Sequence, residues 1–195
     1  DTNLSLEVIS GISEKDSEKL DTLSENNKEQ IEQLAEDAIQ NAENTSEDSQ
    51  LIANVVSVVN DDLVNVVVEE VSKTSIDEKQ SLSAKVLKAI VDTEPDKMEI
   101  IDEDVKDTMI EQTIEASINQ QEEGDLSEGE ADLTDIISDI IVNTDTETAE
   151  KIIDEVNDSD TDTNLSLKVI SGISEKDSEV LNELSENNKE QMEEL

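Results

Sequence analysis

The fold class this sequence predicts is an all-α tandem helical repeat array, and three observations predict it. Residues 1 to 34 return at 162 to 195 with 28 of 34 positions identical. A fainter copy lies about 80 residues on, where Leu4, Val8, Ile9 and Ile12 recur as Leu82, Val86, Leu87 and Ile90. In both copies the apolar residues fall at i, i+4, i+5 and i+8, one face of a 3.6-residue period. Self-similarity at a fixed period is the signature of a repeat architecture. Residues 1–161 read as one full unit with halves of about 1–80 and 81–161, and 162–195 as the truncated start of the next. The chain opens without Met and stops inside a helical pattern, which reads as an excerpt of a longer, elongated array.

Each half opens with a short helix, turns through polar residues, and continues into a second short helix. The turns carry helix-start chemistry: Ser13 with Asp16 and Ser17, Asp61 and Asp62, Thr93 with Pro95, and Asp145 or Thr146 before Glu147. Side-chain oxygens there can accept the free N–H groups of a helix start, and negative charge suits the positive end of the helix dipole. The second helices carry Leu20 and Leu23, Val67 and Val71, Met98 and Ile101, or Ile152, Ile153 and Val156. Two-helix hairpins therefore occur four times, and a fifth begins at Leu165.

Longer helices are expected over about 26–42 and 104–120, the first with a stripe of Ile31, Leu34, Ala35, Ala38, Ile39 and Ala42. Their opposite faces are acidic and amide-rich, so each buries one side only. The run Val55 to Val71 is rich in β-branched residues and is compatible with strands. Its half-repeat partner shows Ile136, Ile137, Ile140 and Ile141 at helical spacing, which favours helix. In that comparison Leu51, Val55, Val56, Ser57 and Val59 correspond to Leu133, Ile136, Ile137, Ser138 and Ile140. Asn119 to Glu130 lacks apolar periodicity and reads as a loop, and Asn157 to Thr163 as a joint between units.

Composition narrows function. Net charge is -41, from 54 acidic residues and 13 basic ones, all of them Lys. Such a chain repels nucleic acid and anionic membranes. Phe, Trp and Tyr are absent, which removes base stacking and aromatic cages. Cys and His are absent too, and with them thiolate nucleophiles, imidazole proton transfer, disulfides and the usual zinc ligands. The carboxylates are so numerous that no pair stands out as an acid and base, and no catalytic residue is assigned. No stretch approaches the roughly 20 apolar residues of a membrane span. Asn-X-Ser sequons at Asn3, Asn44, Asn157 and Asn164 are expected by chance in a chain this rich in Asn and Ser. High charge and low hydropathy are a signature of disorder. Leu, Ile and Val nevertheless make up 53 of 195 residues, and their periodicity favours a folded chain.

The sharpest local motif runs Asn157, Asp158, Ser159, Asp160, Thr161, Asp162, Thr163, Asn164. Alternating oxygens at Asp158, Asp160, Asp162 and Asn164 resemble the first half of a calcium loop. The match then fails: the sixth position is Thr163 in place of Gly, and the twelfth is Val169 in place of a bidentate Glu. A solvated linker whose Asp162 or Thr163 caps the next helix is the simpler reading. A weaker echo, Asn143, Asp145 and Glu147 with Asp154 downstream, reads as capping.

The function expected is structural: a spacer, stalk or surface-layer element of a very large acidic surface or secreted protein, such as an adhesin shaft. In style it is similar to the tandem helical regions of giant bacterial surface proteins, although no motif ties it to a family. The expected partners are neighbouring repeats of the same chain, with self-association through any exposed apolar stripe and divalent cations at the acidic joint. Two alternatives are a calcium-responsive module at that joint, and a disordered acidic chain that binds ions or mineral.

Overall fold

The computed structural model describes residues 11, 33, 39, 51–52, 55–56, 61–73, 82–123, 132–159 and 165–187. Among them every regular element is helical, and Val55, Val56 and 61–71 take the helical side of the helix-or-strand choice. The helices are α1 (Asp61–Ser72), α2 (Leu82–Thr93), a 3-10 turn (Pro95–Glu99), α3 (Glu103–Glu123), α4 (Leu133–Val142), α5 (Thr146–Ser159), α6 (Leu165–Lys176) and α7 (Ser178–Asn187). The opening stretch of the first repeat, from Asp1 to Ser10 and from Ile12 to Leu23, lies outside the described residues. So does most of the expected helix over 26–42, where Ile39 is helical and buried and Gln33 helical and exposed.

Helix starts follow local chemistry. Asp132 caps α4 by accepting the Thr134 N–H at 2.9 Å. Asp145 caps α5, taking the Thr148 N–H at 2.9 Å and the Thr148 hydroxyl at 2.7 Å. Asp177 caps α7, accepting the N–H groups of Glu179 at 2.8 Å and Val180 at 3.3 Å. Asp177 is the repeat copy of Asp16, so the predicted turn chemistry is visible in the second copy. Each such cap stabilises its helix by about 0.5–2 kcal/mol.

Burial follows the apolar spacing. Leu82, Val86, Leu87 and Ile90 of α2 are buried, and so are Leu165, Val169 and Ile173 at the matching positions of α6, which has the same twelve-residue length. Val64, Val67, Val68 and Val71 of α1 and Ala149, Ile152, Ile153 and Val156 of α5 are buried at the same i, i+3, i+4, i+7 spacing. One pairing shifts by a residue. Leu51 is only half-buried, whereas Ile52 and Leu133 are both fully buried, so Ile52 is the counterpart of Leu133.

Three further expectations change. The loop at Asn119 to Glu130 is helical as far as Glu123, because the side chain of Gln120 has a structural partner described below. Residues beyond Glu123 in that stretch, up to 131, lie outside the described residues. Thr93 does not start a helix: its hydroxyl donates back to the Ala89 carbonyl at 2.6 Å and closes α2. Met98 then lies in the 3-10 turn, with Ile101 just beyond it, and both are buried without forming a second α-helix. Finally, the joint expected from Asn157 is still helical through Ser159, the end of α5.

By internal contacts the chain separates into two compact units. Unit 1 comprises Asp1–Ser75 and Lys85–Met109, and unit 2 comprises Ile76–Ala84 and Ile110–Leu195. In unit 1, Asn65 of α1 holds the chain that follows the 3-10 turn: its amide donates to the Ile100 carbonyl at 3.1 Å and accepts the Asp102 N–H at 2.9 Å. Unit 2 is organised around α4, where Leu133, Ile136, Ile137, Ile140 and Ile141 are almost fully buried. Each of those side chains contributes about 1.5–3 kcal/mol through burial. Helix α6 packs most extensively on α4, and also meets α5 and α7.

Candidate functional site

The acidic joint is the site that the sequence marks most sharply. Of its candidate ligands, Asp158 is described and lies exposed in the last turn of α5. Asp160, Asp162 and Asn164 lie outside the described residues. The weaker echo has a defined role. Both carboxylate oxygens of Asp145 are engaged by Thr148, which makes this a helix cap. Among the described residues, no group of three or more carboxylates gathers closely enough to hold a metal ion.

A different arrangement emerges inside unit 2, built from α3, α4 and α6. Helix α3 buries Ile110, Thr113, Ile114, Ala116, Ser117 and Gln120 along one face. Buried polar groups must be paired, because an unsatisfied one costs about 1–3 kcal/mol. Gln120 meets this requirement by accepting the Leu133 N–H at 2.9 Å, one of the free N–H groups at the start of α4. Ser117 and Thr134 share a hydroxyl–hydroxyl bond of 3.2 Å beside it. Together with the Asp132 cap, these bonds fix α4 at its first turn.

One turn further along, α4 receives α6. Ser138 donates its hydroxyl both to the Thr134 carbonyl of its own helix at 3.0 Å and to the Val169 carbonyl of α6 at 3.2 Å. The approach is close because α6 presents Gly172 at that point. A Cβ added there would lie 2.9 Å from the Ser138 Cβ and nearer still to its hydroxyl. Polar contacts flank the apolar seam. Lys168 donates to the Gln121 amide oxygen at 2.8 Å. Lys176 bridges Asp139 at 2.7 Å and Asp135 at 2.9 Å, one turn apart on α4. Partial burial pulls the Lys176 pKa down, the bonds to Asp139 and Asp135 raise it, and the net displacement is upward.

Sequence reasoning missed this seam. Its signals were present: the Ser57 and Ser138 correspondence between halves, and a glycine inside a helical pattern at both Gly11 and Gly172. A helix-interior glycine costs roughly 1 kcal/mol relative to alanine, so its presence calls for a packing reason. The chain matches no protein-family model, and no curated protein or solved structure is significantly similar to it.

Proposed function

We propose that this chain is a non-catalytic structural segment, a spacer or stalk element of a large acidic surface or secreted protein. The observation that carries the reading is the place of α6. It belongs to the second copy of the repeat, and it packs against α4, which belongs to the first. A segment that begins one repeat and also completes the core of the one before it would give successive repeats a fixed connection. Repeat number would then set reach, as in solenoids.

The surface chemistry supports the same reading. A net charge of -41 keeps neighbouring units hydrated and mutually repelling, which opposes collapse of an array. Described lysines pair locally with carboxylates, as Lys73 does with Glu69 at 2.9 Å and Lys88 with Asp92 at 3.0 Å. Such exposed pairs each contribute at most about 1 kcal/mol and leave the acidic excess in place. Self-repulsion is screened once the Debye length falls to about 8 Å at physiological ionic strength, so the fold suits salty surroundings.

Far-ultraviolet circular dichroism with small-angle X-ray scattering, across a salt series with and without millimolar calcium, tests the proposal. A strongly helical spectrum with an elongated profile supports it. A coil spectrum at every salt concentration would overturn it in favour of a disordered ion-binding chain. Calorimetric titration with calcium, beside an Asp160→Ala variant, tests the acidic joint separately: no heat would remove calcium from the account.

A further inference from the structure

We propose that α4 of unit 2 is a seat for the opening segment of a repeat, and that the Asp1–Lys15 segment of a second copy of this chain fits it through Leu4–Lys15 as Leu165–Lys176 does. The idea deepens the spacer reading and rests on it for its use in an array.

Three observations carry it. First, residues 4–15 and 165–176 differ only at Glu7, where the second copy has Lys168. The groups by which α6 engages α4 therefore have counterparts: Val8 for Val169, Gly11 for Gly172, and Lys15 for Lys176. Second, among the described residues the two glycines differ: Gly172 is closed against Ser138, whereas a Cβ added at Gly11 would meet no described atom within 4 Å. Third, in each compact unit an opening segment goes with the half-repeat before it. Lys85–Met109, which holds all but the first three residues of α2, belongs with Asp1–Ser75, and the segment from residue 162 onward belongs with Ile110 and its successors. The compact units are thus displaced from the sequence repeat, and residues 4–15 are by sequence the same kind of opening segment as Leu165–Lys176. Charge is complementary as well: the seat offers Asp135 and Asp139, and the incoming helix brings a lysine.

Because α6 fills the seat in the intact chain, the test must empty it. In full-length Gly172→Leu the bulky side chain blocks α6 at Ser138. A fluorescent peptide of residues 1–15 should then bind this variant, and bind wild type and a Gly11→Leu peptide about tenfold or more weakly. Sedimentation should show concentration-dependent association of Gly172→Leu through its intact Gly11 segment, and no association of Gly11→Leu/Gly172→Leu. Should Gly172→Leu lose helix on its own, the wild-type peptide is expected to restore its helical signal and the Gly11→Leu peptide to leave it low. A peptide that neither binds nor restores helix, or that binds wild type and Gly172→Leu equally, would overturn the proposal. None of these readouts depends on particle shape, so a compact scattering profile would defeat the spacer reading and leave this test standing.

Discussion

Alanine at Gly11 and at Gly172 should change stability in opposite directions, although eleven of the twelve residues around them are the same. Either replacement removes the glycine penalty in a helix, a gain of about 0.8–1 kcal/mol. At Gly11 no described atom within 4 Å opposes the new methyl group, so that gain should appear. At Gly172 the methyl group would meet Ser138 Cβ at 2.9 Å, an atom that no rotamer change can remove. Overpacking of this kind costs about 1–3 kcal/mol. If the Ser138 hydroxyl also turns away from the Thr134 and Val169 carbonyls, about 0.5–1.5 kcal/mol more is lost. After the propensity gain is subtracted, Gly172→Ala should destabilise by up to about 2 kcal/mol with the Ser138 bonds kept and by about 0.5–3.5 kcal/mol with them lost. The assay is thermal unfolding followed by circular dichroism, where each kcal/mol corresponds to about 2–4 °C for a chain of this size. Adding Ser138→Gly should recover part of the loss at Gly172, a coupling expected only of neighbours. Equal shifts of the same sign for the two alanines would refute the close approach of α6 to α4.

Other expectations concern the same unit. Gln120→Leu should strand the Leu133 N–H and cost about 1–3 kcal/mol, with faster hydrogen exchange at the first turn of α4 as the local readout. Asp145→Ala removes both bonds to Thr148 and should lower urea stability by about 0.5–2 kcal/mol, while Asp145→Asn should retain most of it. Lys176→Met should cost about 1 kcal/mol or somewhat more at pH 7, since its partner Asp135 is largely exposed but the closer Asp139 is largely buried. Because the folded pKa of Lys176 is raised, its contribution is complete below the unfolded value of about 10.4 and disappears as pH rises through the folded value. Melting temperatures of wild type and Lys176→Met should therefore converge only above about pH 10.4; a constant gap through that range would contradict the Lys176 bridge.

The helical class was legible because apolar spacing is a property of one segment at a time. Leu165, Val169 and Ile173 announce a buried face without reference to what covers it. Capping was legible for the same reason, since Asp145 and Thr148 are three residues apart. Two features that stayed hidden in the sequence depend on distant partners. Gln120 looks like loop chemistry until it reaches Leu133, and Gly172 looks like a weak point in a helix until Ser138 is placed against it. The acidic run from Asp158 drew attention through its pattern, yet Asp158 follows the helical course of α5. Seats and seams are made by pairs of segments, and a single pass along the chain does not pair them.

The glycine contact also has a mechanical meaning. Sliding α6 by one turn, about 5.4 Å, would bring position 168 or 176 opposite Ser138, and both are lysines. Neither side chain fits where an added Cβ already collides. The helix can therefore rest on α4 at one setting and not at those one turn to either side, which makes Gly172 a detent. A tether made of such joints would hold its length under modest pull and then yield in discrete steps, one joint at a time.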